Sequence, residues 1–134
     1  MHKLKQGDQV EFLLDAVIQG IFDKKGLDVI SLNLARIHST VCDYFVICHG
    51  TSGTHAAALA DSIEEMVYRQ TGIKAARREG KTNAEWILID FQDVVVHVFQ
   101  ESFRSFYQIE ELWADAPSQK HRDTGMQAST MPSE

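Results

Sequence analysis

Cysteine and proline are scarce in this chain, two of each, and basic residues are outnumbered, with 13 Lys and Arg against 19 Asp and Glu. So few cysteines exclude a disulfide-built scaffold and leave no second pair for a zinc site. Cys42 and Cys48 share one extended run. At about 3.3 Å per residue they stand roughly 20 Å apart, whereas a bridge needs Cα atoms within about 7 Å. Two buried thiols are the expectation. The formal charge of -6 argues against a protein held mainly by neutralising phosphates, so that near nucleic acid a protein surface is the expected contact. No apolar run approaches the roughly 20 residues of a membrane-spanning helix. Met1 to Gln9 is polar, and the apolar residues after it are interrupted by Glu11 and Asp15, unlike a signal or transit peptide. A soluble, cytoplasmic protein is expected.

What the chain does have is apolar patterning, 44% hydrophobic over 134 residues, enough for one core and short of two ordinary domains. Its organising stretch is EWILIDFQDVVVHVF, Glu85 to Phe99. Trp86, Leu88 and Asp90 alternate with Ile87, Ile89 and Phe91, and the valine-rich run from Val94 favours strand over helix, so the two segments read as a β-hairpin. Ahead of it, Val10, Leu13, Leu14, Val17, Ile18, Ile21 and Phe22 form one stripe of an amphipathic helix over Asp8–Lys25, capped by Asp8 and stopped by Gly26. Asp28–Leu34 and Asp43–His49 read as antiparallel neighbouring strands. A helix then runs from the GTSGT turn to about Gln70, capped by Ser52 or Thr54 and ended by Gly72. Ile73–Arg78 reads as an edge strand, Glu79–Ala84 as a loop, and Glu101–Ala114 as one or two short helices. From Pro117 the sequence is polar, which predicts a domain over 1–116 and a disordered tail over 117–134. The architecture implied is a single α/β domain with a mixed, about five-stranded sheet flanked by helices.

Five groups could carry chemistry or contact. The loop HGTSGTH, His49 to His55, joins a strand to a helix, where backbone N–H groups can hold a phosphate. A nucleotidyl or phosphoryl transferase would also need carboxylates nearby, from Asp43, Asp90 or Asp93. The nearest downstream acid is Asp61, so no Asp-x-Asp pair follows, and a strand-to-helix turn is the plainer reading. His97 shares a strand face with Val95 and Phe99, as a packed core histidine does, and no third ligand makes a metal site with His49 and His55. Asp90 and Asp93 bracket the hairpin turn, where aspartates shape turns by bonding backbone N–H groups. Trp86 and Phe91 lie at strand ends beside the polar Lys81, Asn83 and Gln92, the composition of a protein-binding patch, with two ordinary core aromatics as the equal alternative from spacing alone. Lys74, Arg77 and Arg78 read as a solvated edge, with RNA contact as a secondary role.

The sequence resembles the ribosomal silencing factors, also called the Iojap or RsfS family. The resemblance rests on DYFVICHGTS from Asp43, HAAALADSIEE from His55, EGKTNAEWILIDF from Glu79, DVVVHVF from Asp93 and FRSFYQIEELWADA from Phe103. It covers nearly all of the chain up to Ala116. It implies a nucleotidyltransferase-like α/β fold without transferase activity, and no enzyme activity, cofactor or metal is expected. It further implies binding to the large ribosomal subunit, chiefly through ribosomal protein fourteen, which blocks association with the small subunit and lowers translation when nutrients are scarce. Glu79, Gly80, Trp86, Asp90, Phe91 and Asp93 are the docking residues it carries over. A homodimer in the free state also fits the resemblance, and a membrane role does not. Two positions depart from the family pattern: Gln92 stands where glycine is common in the hairpin turn, and Thr54 where a basic residue often precedes the histidine. Where positive φ is required, glutamine carries a steric cost that glycine does not.

Overall fold

The structure is a computed structural model and describes residues 6–39, 41–80 and 84–123. Lys81 and Asn83, read above as part of the patch, lie outside the described residues, as does the tail beyond Asp123. Helix α1 (Gln6–Asp23) begins two residues before the expected Asp8 cap, which leaves Asp8 in its first turn. Lys25, at φ 59°, takes the left-handed position after the helix. The Gly26 N–H then reaches back to the Ile21 carbonyl at 2.9 Å and the Lys25 N–H to Phe22 at 3.0 Å, so the helix closes in a Schellman motif with lysine, not glycine, as its left-handed residue.

Strands β1 (Leu27–Asn33) and β2 (Tyr44–Gly50) pair antiparallel as expected, joined through a 3₁₀ turn at Ala35–Ile37. Helix α2 (Gly53–Thr71) is capped by Ser52, whose hydroxyl accepts the His55 N–H, and ends at Gly72 with φ 78°. The hairpin forms β4 (Trp86–Asp90) and β5 (Val94–Gln100), and β5 runs parallel to β2. Two short helices follow, α3 (Glu101–Tyr107) and α4 (Ile109–Leu112).

Two expectations need correction. The edge strand β3 is Arg77–Gly80, later than the expected 73–78, and it takes Glu79 and Gly80 out of the supposed loop. Arg78 fixes it there through Asp61 at 2.8 Å and Glu64 at 2.9 Å on α2. The sheet also has six strands, in the order β3-β4-β5-β2-β1-β6. Its sixth, β6 (Ser118–His121), comes from the segment expected to be a disordered tail and pairs antiparallel with β1. Its register is held by the ladder and by a 2.8 Å bond between Ser31 Oγ and His121 Nε2, interactions that need no apolar pattern.

One sheet face packs under α1 and α2. Val46, Cys48, Ile87, Ile89, Phe91, Val94, Val96 and Val98 meet the stripes of Leu13, Val17, Leu59 and Ile63 there. On the other face α3, α4 and the 3₁₀ turn cover Phe45, Ile47 and Phe99, while β3 is exposed along its length and Trp86, Leu88 and Asp90 of β4 are half-buried. Both cysteines are free and buried, and burial pushes each thiol up to about 12.

Candidate docking face

The register of β3, β4 and β5 decides which side chains meet. Arg77 lies opposite Asp90 and Glu79 opposite Leu88, while Leu88 lies opposite His97 and Asp90 opposite Val95. Alternation therefore puts Arg77, Glu79, Trp86, Leu88, Asp90, Val95 and His97 on the sheet face away from α1 and α2, Arg77 and Glu79 exposed and Val95 and His97 buried. Of the six expected docking residues, Glu79, Trp86 and Asp90 share it. Gly80 stands on the helix side, where an added Cβ would approach Ile87 Cγ1 to 3.2 Å. Asp93 sits in the hairpin turn, its carbonyl accepting the Asp43 and Tyr44 N–H groups at 2.9 and 3.1 Å. Phe91 is a correction: it was expected to be partly open, and it is 4% exposed in the core beneath the helices.

The hairpin turn explains Asp90. Gln92 has φ 77°, and the Asp93 N–H bonds the Phe91 carbonyl at 3.0 Å, which makes a γ-turn of the strained hand. Asp90 Oδ1 accepts the Gln92 N–H at 2.7 Å and steadies it. Its other oxygen lies 3.7 Å from Arg77, which also holds Glu79 at 3.3 Å. The steric cost anticipated for glutamine at positive φ is therefore present.

Trp86 is half-buried, stacked on Phe99 with centroids 5.0 Å apart and leaning on Tyr107 at 4.7 Å. Its indole N–H donates to His97 Nδ1 at 3.1 Å. An indole nitrogen only donates, so Nδ1 accepts and the ring hydrogen of His97 sits on Nε2. His97 is 3% exposed, and burial alone pulls its pKa down to about 4, so the ring is neutral at pH 7. Beside it Val41, Phe45, Arg77, Leu88, Asp90, Gln92 and Val95 line an open groove of about 430 Å³. Val41 stands 58% exposed at its lip. Sequence reading identified the buried histidine and missed Arg77, Leu88, Phe45 and Val41 as its companions; the alternation of β4 already placed Leu88 between Trp86 and Asp90.

The glycine loop is occupied by its own histidine. His55 Nδ1 accepts the Thr51 N–H at 3.0 Å and its Nε2 donates to the Lys24 carbonyl at 2.7 Å. The ring fits because Gly50 has no Cβ, which would come within 2.9 Å of it. The loop thus ties the end of α1 to the start of α2, the plainer of the two sequence readings. Asp43 and Asp93 lie at the opposite end of the parallel strands β2 and β5 from it, roughly 20 Å away over seven residues at about 3.3 Å each. Asp90, paired with Val95, lies near that far end too. Among the described residues no group of His, Cys, Asp and Glu could hold a metal ion.

A larger cleft, about 670 Å³, lies by β1, β6 and α3 around Arg104. Arg104, the buried cation of its wall, is spent internally. Its guanidinium bonds the Asp28 carbonyl at 2.6 Å, His49 Nδ1 at 3.0 Å and Glu110 at 2.8 Å. Burial, and then the Arg104 charge, hold the His49 pKa below its ordinary value.

Sheet order, flanking helices and internally satisfied loop define a mixed α/β domain with a six-stranded sheet. The family model described as ribosomal silencing factor during starvation matches residues 8–134. A ribosomal silencing factor from Halalkalibacterium halodurans is 42% identical over 106 residues, 79% of this chain and 89% of that protein. A crystal structure from Chromobacterium violaceum superposes with a TM-score of 0.73 at 30% identity, covering 78% of this chain and 86% of that one. A mouse protein named mitochondrial assembly of ribosomal large subunit protein 1 is 34% identical over 74 residues, 53% of this chain and 32% of its own length. This chain belongs to the ribosomal silencing factor family, a family of translational regulators. No helix among the described residues is long and apolar enough to cross a membrane.

Proposed function

We propose that this protein binds the large ribosomal subunit in the cytoplasm, chiefly through ribosomal protein fourteen, and blocks the small subunit by its bulk. Translation falls as a result when nutrients are scarce. The observation that carries this reading is the sheet face away from α1 and α2, which presents Trp86 and Leu88 between Glu79, Asp90 and Arg77 in a member of this family. An aromatic anchor with a polar rim is the anatomy of a protein interface, and a chain of charge -6 suits a basic ribosomal protein. Protein is favoured over RNA as the main contact because Arg77 and Arg78 are both engaged by carboxylates. We read the scaffold as nucleotidyltransferase-like, put to use without transfer chemistry. The separation of the glycine loop from Asp43, Asp90 and Asp93 supports that.

Co-sedimentation with purified large subunits tests the reading. The protein should pellet with them, and Trp86→Ala should weaken binding by more than about 1 kcal/mol, the threshold of an interface anchor. Equal pelleting of a folded Trp86→Ala protein would remove the face from the interface.

A further inference from the structure

We propose that Phe106 is a second aromatic anchor of the docking face: its ring packs among apolar and basic side chains of the ribosomal protein that meets Trp86. The inference deepens the docking reading and rests on it. Phe106 stands 75% exposed on α3, and an isolated apolar side chain on a surface needs no explanation. Phe106 is not isolated. Its ring meets Tyr107 edge-on at 5.1 Å, Tyr107 leans on Trp86 at 4.7 Å, and Trp86 stacks on the buried Phe99. Aromatic surface therefore runs from the start of β4 onto α3, with its base fixed in the core and its outermost ring open.

Area and charge make the ribosomal protein its occupant. A stable interface covers about 800 Å² on each partner, whereas a whole aromatic side chain buries only about 150–250 Å². A protein centred on Trp86 therefore extends at least one ring further, to Phe106. The charge around that ring selects the same partner. From Glu101 to Ala116 the one base is Arg104, which is buried and held by Glu110. Glu101, Glu111 and Asp115 are exposed and make no ion pair among the described residues. Such a surface repels an RNA backbone and attracts a basic protein, whose Lys and Arg stems can cover the ring while their charges meet these carboxylates. A two-fold dimer over the same surface would instead gather like carboxylates into one interface.

Co-sedimentation with large subunits and a photo-cross-link test this independently. Phe106→Ala changes an exposed position, where substitutions cost little stability, so the variant should melt with wild type and bind large subunits about tenfold more weakly, as the loss of an interface anchor does. With p-benzoyl-phenylalanine in place of Phe106, irradiation of the bound protein should join it to a protein of the large subunit. Wild-type binding by Phe106→Ala while Trp86→Ala is impaired would overturn the inference and leave the docking reading in place. Failure of the wild-type protein to pellet would remove both. No cross-link, or one to ribosomal RNA or a second copy of this chain alone, would also overturn the inference. Should the alanine variant melt far below wild type, the cross-link decides by itself.

Discussion

Phe91→Ala should lower folding stability by about 3–5 kcal/mol, the cost of emptying a large aromatic site in a core. For a chain of this length that is a fall in melting temperature of roughly 10–15 °C. Its ring is 4% exposed, on the same sheet face as Ile87 and Ile89 and packed in the core with α1 and α2. Nothing of it reaches the face that carries Trp86. The variant, assayed at a temperature where it remains folded, should therefore bind large subunits as wild type does. Unchanged melting with lost binding would place Phe91 in the interface and contradict the structure. Phe91 and Trp86 thus separate two effects that adjacent aromatics in one hairpin could easily confuse.

Arg104→Met should cost about 3 kcal/mol, seen as a melting temperature lower by roughly 10 °C in thermal denaturation. Methionine restores most of the apolar stem, so the loss is electrostatic. The side chain is 9% exposed and its partner Glu110 30%. Removing the guanidinium leaves His49 Nδ1 without a donor in a buried setting and the part-buried Asp28 carbonyl without its bond, and an orphaned buried acceptor costs about 1–3 kcal/mol. Glu110 is open enough to turn to water, which keeps the total below the sum of the separate losses. Arg104→Lys should recover only part, since an ammonium cannot serve the carbonyl, the imidazole and the carboxylate with one planar fork. A variant melting with wild type would mean that α3 is held by Phe103 and Tyr107 alone.

Much of this fold is legible in periodicity. The stripe of α1, the cap and stop of α2 and the alternation of β4 each follow from local rules, and β4 in particular assigns every side chain to one of two faces. What alternation does not say is which face is covered, and where. Phe91 was expected to be open because it ends a strand, yet the helices extend over that end and bury it. Trp86, at the other end, borders the last covering side chain, Tyr107. Strands β3 and β6 have no apolar signal to read, since RREG and SQKH are held by ladder bonds and by Arg78 and His121 to distant partners. The groove was missed for the same reason. Its members come from β2, β3, β4, β5 and the segment before β2, and only the strand order brings them together. His97 shows the division well: its burial could be read from the valines around it, whereas the bond to Trp86 requires the cross-strand register.

On the proposed reading, the exposed part of the sheet lets a chain of 134 residues lower translation by occupancy. Its helices bury one side of the sheet and stabilise it, which leaves part of the other side free for contact. The geometry asks nothing of the glycine loop beyond joining α1 to α2.

Sucrose-gradient analysis of purified small and large subunits, mixed with increasing amounts of this protein, tests that claim most directly. The joined fraction should fall in step with the fraction of large subunits carrying the protein, and Trp86→Ala should require a correspondingly higher concentration. Joined particles forming at the normal yield with the protein still bound to their large subunit would contradict it.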